Sequence, residues 1–177
     1  MSVAFRRDLT TGTPIAAIRE NTRVVSASTI KVSILCCALQ DVMDGKLSLD
    51  QPLAIAPGDF CSDTEVFEPG YRQDGASLWE MLYWMIVSSD NTATNTVISL
   101  LGYDHVNQYC RAIGLTQTSL QRKMLDFQAI AEGRNNFTSP ADLYRVFSRL
   151  YHGEILNKPL REVAFDFLSR CRSTDAL

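Results

Sequence analysis

The sequence predicts an α+β fold in which helices dominate, and three observations carry that expectation. Two short strand-like runs sit near the N-terminus around a glycine turn, and six or seven helical runs follow them. No internal repeat interrupts the chain, and no linker is long enough to separate one domain from another, so residues 1–177 read as a single domain. At 46% hydrophobic over 177 residues, that domain has enough apolar material for a real core.

Val3 to Leu9 and Pro14 to Arg19 are the strand-like runs, and Thr10-Thr-Gly-Thr13 between them reads as the turn of an antiparallel hairpin. Two strands alone are marginal in water, so further strands or a helix must lie behind them. Glu20 to Val25 leads into a helical run from Thr29 to Asp44, which has no internal Gly or Pro and is closed by Gly45. Leu47 to Leu53 and the Gly/Pro-rich stretch from Ala56 to Gly75 read as a long surface connection, pinned to the body by Phe60, Val66 and Phe67. Ser77-Leu-Trp-Glu80 is a capping box opening a helix from Leu78 to Val87. That run is apolar nearly all round, which predicts the most buried helix of the chain, with Trp79 or Trp84 in the core. A helix from Thr92 to Leu101 ends at Gly102, and another from about Asp104 to Ile113 ends at Gly114. Leu115 to Phe137 is irregular and charged. Ser139-Pro140-Ala-Asp142 caps a helix reaching about Tyr151, with proline in the first turn where its missing N–H costs nothing. Asn157 to Cys171 makes the last amphipathic helix.

Composition narrows the function. A net charge of −3 leaves no basic footprint, so no nucleic-acid partner is expected. No apolar stretch approaches the roughly 20 residues of a membrane span, and Met-Ser-Val-Ala-Phe-Arg-Arg-Asp does not read as a signal segment. Cys36, Cys37, Cys61, Cys110 and Cys171 show neither C-x-x-C nor His-rich spacing, so neither a metal nor a cofactor is expected. His105 and His152 lie far from any acid-and-serine pattern, which argues against a Ser-His-Asp triad.

Ser28 and Lys31 stand at the start of the first helical run, at a spacing that places them on one face. A serine hydroxyl needs a neighbouring base to become a nucleophile. Lysine serves as that base when desolvation lowers its pKa. A first-turn serine also feels the positive end of the helix dipole, and its own N–H points toward an incoming oxyanion. Ser28 is therefore the candidate nucleophile, although the pair alone also fits a serine cap with a snorkelling lysine. Ser89-Asp90-Asn91 emerges from the apolar helix that ends at Val87. It fits an Asx-type turn between two helices, yet the end of a buried helix is a costly place for three polar side chains.

Ser28-x-x-Lys31 followed by Ser89-Asp90-Asn91 resembles the active-site set of the class A β-lactamases and penicillin-binding proteins. Lys46 to Pro52 is similar to that family's connection after the nucleophile helix, and Arg122 to Pro140 to its Ω-loop. The resemblance implies a β-lactamase/transpeptidase-like fold: a mostly helical lobe with an N-terminal antiparallel hairpin. It implies an acylated nucleophile at Ser28 and a proton acceptor or shuttle at Lys31. Ser89 would pass a proton to the departing nitrogen, Asn91 would bind the substrate's side-chain amide, and Asp90 would brace the turn. Ser28, Lys31 and Ser89 should therefore converge. The implied partner is a small-molecule substrate, a β-lactam or a D-alanyl peptide, acting on a monomer in an extracytoplasmic setting.

Two departures from the family pattern matter. Where a class A enzyme carries a Glu, and an Asn four residues on, to activate the deacylating water, Met124 and Gln128 stand here. Asp126 is the nearest carboxylate and the candidate deacylation base, with Glu132 a poorer substitute. Asn136 takes the place of the Asp that normally pairs with the loop's opening arginine, here Arg122, so the loop should be held more loosely. The family's third motif, Lys-Thr/Ser-Gly on a late strand, has no counterpart: Lys46 precedes Leu and Lys158 precedes Pro. That strand supplies a second oxyanion donor, whose loss costs about 3–4 kcal/mol of transition-state stabilisation. Without it the hairpin would form the edge of an incomplete sheet, and the chain reads as a fragment lacking the C-terminal strands. Three functions stay open: a hydrolase of the β-lactamase type, a penicillin-binding or sensing module that stays acylated, and a non-catalytic remnant.

Overall fold

The computed structural model describes residues 3–172 other than 9, 63, 65, 69, 71 and 73. β1 (Ala4–Arg7) and β2 (Pro14–Ile18) pair antiparallel, with Ala4 opposite Ile18 and a register shift between Arg6 and Arg7. Their turn is held from inside: Asp8 Oδ1 accepts the N–H groups of Thr10 (2.8 Å) and Thr11 (2.7 Å). The hairpin expected from the sequence is thus present, with Leu9 outside the described residues. It is backed by a helix near the C-terminus: Phe5 meets Tyr144 edge-on at 5.2 Å. β1, the strand before the first helix and that later helix frame an apolar groove of about 550 Å³.

α1 (Ile30–Met43) is entered through a 3-10 turn over Ala27–Thr29 and is the centre of the molecule. Every residue from Ile30 to Leu39 is buried. α2 (Leu78–Val87), α3 (Asn91–Leu101), α4 (Tyr103–Ala112) and α7 (Lys158–Ser169) all pack on it. α5 (Phe127–Ala131) and α6 (Pro140–His152) complete the α-helices among the described residues. The five-residue α5 lies in the stretch that looked irregular, because one short turn capped by Asp126 leaves no periodic signature.

The expectation that α2 is the most buried helix is wrong; α1 is. On α2, Leu78, Met81, Leu82, Met85 and Ile86 face the core, while Trp79 and Tyr83, an i, i+4 pair, stack on the outer side at 5.2 Å. Trp79 remains 39% exposed, and Trp84 is only partly buried against the core. The aromatic rings are covered by α7 rather than enclosed: Phe167 meets Trp79 and Tyr83 edge-on at 5.3 and 5.4 Å. An apolar outer face covered by one amphipathic helix looks, in sequence, the same as deep burial.

Among the described residues, four two-residue strands escaped the sequence reading, since two residues carry no alternation. β3 (Val24–Val25) pairs antiparallel with β6 (Phe137–Thr138), and β4 (Pro52–Leu53) with β5 (Ala76–Ser77). Phe137 also exchanges backbone hydrogen bonds with Ser119 (2.9 and 3.0 Å). The β3–β6 clip ties the end of the 122–140 loop to the residues just before Ser28. The β4–β5 clip closes the long connection, and there Gly75 is required: at φ +92°, a Cβ would lie 1.9 Å from the Leu53 carbonyl oxygen. Among the described residues of that connection, Phe67 is fully buried and Phe60 and Val66 pack against the core, as expected. No helix among the described residues is long and apolar enough to cross a membrane.

Candidate active site

Ala27 adopts a left-handed φ of 46° and turns the chain from β3 into α1, leaving Ser28 exposed in the 3-10 turn at the helix start. Across from it, α2 ends and α3 begins through Ser88-Ser89-Asp90. Ser89 is also left-handed, φ 58°, and its carbonyl accepts from Lys31 Nζ at 2.6 Å. Lys31 Nζ further donates to Ser89 Oγ at 2.8 Å and to Asn91 Oδ1 at 3.0 Å. Ser89 Oγ lies 3.0 Å from Ser28 Oγ, within hydrogen-bond reach. The result is a continuous relay from amine to hydroxyl to hydroxyl, and both hydroxyls can rotate to carry a proton in either direction.

Neither plain reading of the first motif describes this geometry. Lys31 is 2% exposed, so its ammonium turns inward and does not snorkel. Ser28 Oγ meets Ser89, and Thr29 rather than Ser28 occupies the cap position of α1. The relay opens into a cavity of about 300 Å³ walled by Val32, Met85 and Ile86, with Ser28, Lys31 and Ser89 at its polar end. Apolar walls around a small polar cluster are the usual composition of a small-molecule site.

Asp90 holds the turn. Its buried Oδ1 caps α3 by accepting from Ala93 N–H at 2.8 Å. Oδ2 accepts from the N–H groups of Val66 (3.1 Å) and Phe67 (3.3 Å) and from the Thr64 hydroxyl. One carboxylate thereby fixes both the helix start and the strap across it.

The 122–140 loop differs from expectation in its anchoring. Arg122 Nε and Nη2 donate to Asn135 Oδ1 at 3.0 and 2.8 Å and Nη1 to the Lys123 carbonyl at 2.9 Å, so the side chain that meets the guanidinium is Asn135, not Asn136. Asn136 is 1% exposed and serves the backbone: Oδ1 accepts from Gln121 and Arg122 N–H (2.8 and 3.1 Å), and Nδ2 donates to the Arg122 carbonyl (3.0 Å). Burial lowers the Arg122 pKa, and the nearby Asp126 carboxylate acts against that shift.

Met124 packs its side chain into the hydrophobic core, and its backbone is clamped by Asn95, whose Oδ1 accepts Met124 N–H at 2.7 Å and whose Nδ2 donates to its carbonyl at 3.3 Å. Asp126 Oδ1 accepts Ala129 N–H at 2.9 Å as the cap of α5, and the residue lines a separate cavity with Lys123 and Met124. Gln128 is exposed and donates to Glu132 Oε1 at 3.0 Å; Glu132 also pairs with Arg134. The structure thus brings Ser28, Lys31, Ser89 and Asn91 together, while Asp126, Gln128 and Glu132 make their side-chain hydrogen bonds within the 122–140 loop. Sequence reasoning passed over Asn95. Its signal was a run of polar residues, Thr92, Thr94, Asn95 and Thr96, in an uninterrupted helix where all prove buried.

The α+β arrangement and the relay define a serine β-lactamase-related fold. A model of the beta-lactamase enzyme family matches residues 2–177, and the chain belongs to that family. It is 30% identical over 164 residues to a β-lactamase of Rhodobacter capsulatus, covering 90% of this chain and 55% of that protein. Among solved structures, a mutant of PBP-A, captured as an acyl-enzyme with penicillin G, superposes with a TM-score of 0.86 at 27% identity. A mutant of the class A β-lactamase of the last common ancestor of Gram-negative bacteria does so with a TM-score of 0.85 at 29%. Both alignments cover 96% of this chain, but only 62% and 64% of the respective structures. The chain therefore spans just over half the length of the Rhodobacter relative and under two thirds of these structures.

Proposed function

We propose that Ser28 is the nucleophile of an acyl-transfer reaction on β-lactam amides, and that hydrolysis of the acyl-enzyme completes a β-lactamase cycle. The observation that carries this reading is the Lys31–Ser89–Ser28 relay opening into an apolar-walled cavity. Ser28 Oγ attacks the lactam carbonyl, an ester bond forms and the C–N bond breaks. The serine proton passes to Lys31, through Ser89 or directly, and Ser89 returns a proton to the departing nitrogen. Ser28 N–H, in the first turn where helical N–H groups lack intrahelical acceptors, is one oxyanion donor. Asn91 binds the substrate's side-chain amide. The acyl-enzyme of PBP-A with penicillin G supports the first half of this cycle by similarity.

A second reading, acylation without fast release, is favoured by the surroundings of Ser28. Among the described residues, no carboxylate lines its cavity. Met124 cannot accept a proton, and Asp126, the candidate base for deacylation, is engaged in capping α5. A positioned base contributes about 10²–10⁴-fold to such a step, so the adduct at Ser28 should form faster than it hydrolyses.

Mass spectrometry of the protein with penicillin G over time tests both readings. The expected result is one adduct per chain, absent in Ser28→Ala, persisting for many times its formation time. Rapid turnover slowed by Asp126→Asn would assign full hydrolysis with Asp126 as base; rapid turnover unaffected by it would move the base to Glu132 or Lys31. No adduct under any condition overturns the enzymatic reading and leaves a non-catalytic member of the family.

A further inference from the structure

At the other end of α1 from Ser28, three side chains of different chemistry converge. Cys37 and Asp41, one helical turn apart, share a face of α1, and His105 reaches them from α4. Cys37 Sγ, a carboxylate oxygen of Asp41 and a ring nitrogen of His105 all lie within 4.8 Å of one another. We propose that Cys37, Asp41 and His105 form a three-ligand zinc site, with water as the fourth ligand.

The donor set selects the metal class. A thiolate, an imidazole and a carboxylate suit a borderline ion such as Zn²⁺, whereas Mg²⁺ and Ca²⁺ require six or more oxygen ligands. The spacing also fits. Ligand bonds of about 2.0–2.3 Å in a tetrahedron put donor atoms roughly 3.3–3.8 Å apart, inside the observed envelope. His105 Nε2 and Asp41 Oδ2, now 2.6 Å apart, must separate by a fraction of an ångström. The histidine side chain, 40% exposed, has room to swing while Cys37 and Asp41 stay fixed in the core helix. The same exposure leaves a path for the ion and a place for the water ligand.

The charges around the site are compatible with a cation. Asp41, 5% exposed, faces the His105 ring with Oδ2 and pairs with Lys46 Nζ through Oδ1 at 3.1 Å. An incoming ion takes Oδ2 and leaves Oδ1 to Lys46. Burial, and then the Asp41 charge, raise the Cys37 pKa, so the thiol enters protonated and releases its proton to solvent as the S–Zn bond forms. Sequence spacing pointed away from a metal because the third ligand lies 64 positions from Asp41. Cys37 also lies nine residues beyond Ser28, roughly 13 Å along the helix, so the site is distinct from the relay.

The test is Zn²⁺ and Co²⁺ titration of the full chain under reducing conditions, with zinc stoichiometry by equilibrium dialysis. One ion per chain is expected, and Co²⁺ should give a thiolate-to-metal charge-transfer band together with tetrahedral visible absorption. Cys37→Ala should abolish the band. His105→Ala, which alters a half-exposed side chain and should fold normally, should weaken zinc binding at least ~10-fold, the lower end of what even outer-shell changes cost a metal site. Lys46→Met should tighten it. Absence of stoichiometric binding overturns the proposal and leaves an ion-pair cluster that docks α4 on α1. So does a band that survives Cys37→Ala, zinc affinity unchanged in His105→Ala, or a band lost in Cys171→Ser.

Discussion

Replacing Asp90 by alanine removes an acceptor that serves four donors at once: Ala93, Val66 and Phe67 N–H and the Thr64 hydroxyl. Loss of the α3 cap alone costs about 1 kcal/mol. The Val66 and Phe67 amides then lose their partner at about 1 kcal/mol each, since Phe67 is fully buried and water cannot replace a carboxylate beneath it. The sum is about 3 kcal/mol, equivalent to roughly 10 °C in Tm for a chain of this length. Asp90→Asn keeps one oxygen for the cap and the same volume, and should cost about half as much. Urea unfolding followed by circular dichroism measures both variants, and limited proteolysis reports whether the strap around Val66 and Phe67 opens first. A loss below ~1 kcal/mol in the alanine variant would refute the argument, as would equal losses in the two variants.

Three further outcomes follow from the same reasoning. In native protein only Cys171 should react quickly with a thiol reagent, because it is exposed, while all five cysteines should react in urea. Burial pushes the Cys36 thiol up to about 12 and Cys110 to about 11, so at pH 8 only about 10⁻⁴ and 10⁻³ of them are ionised. Lys31→Met should slow formation of the Ser28 adduct by about 10²–10⁴-fold with the circular dichroism spectrum unchanged, read by the same mass-spectrometric time course. The Arg72 hydrogen bond at 2.6 Å depresses the Glu80 pKa, so its contribution is present above the unfolded glutamate value and is lost as pH falls through the lower folded one. Both side chains are about a third exposed, which limits the effect to under ~1 kcal/mol. Arg72→Ala should remove that slope from urea midpoints measured between pH 7 and pH 3.

Short-range relations were legible in the sequence. The i, i+3 spacing of Ser28 and Lys31, the Ser77 and Ser139 caps and the hairpin turn at Thr10–Thr13 involve neighbours in the chain, and the structure shows each of them. The approach of Ser89 to Lys31 across 58 positions was legible only through the resemblance. What stayed hidden depends on which face a residue presents. Asn135 and Asn136 are identical in type, and β6, whose first residue is Phe137, decides which points at Arg122 and which at its backbone. Periodicity could not separate α1 from α2, because both are apolar and only the position of Phe167 distinguishes a covered face from an enclosed one.

The left-handed turn at Ser89 has a consequence for any attempt to improve this protein by selection. A serine at φ 58° carries about 1 kcal/mol of backbone strain that glycine would not. Glycine would give back a similar amount through the greater freedom of the unfolded chain. Lys31 would keep the residue 89 carbonyl and Asn91 as acceptors. Folding stability is therefore nearly indifferent between the two residues at this position. A library screened for heat resistance alone has no means of retaining the hydroxyl and would lose it by drift. With the proton-transfer role proposed for Ser89, a screen that reads adduct formation at Ser28 would hold serine at 89.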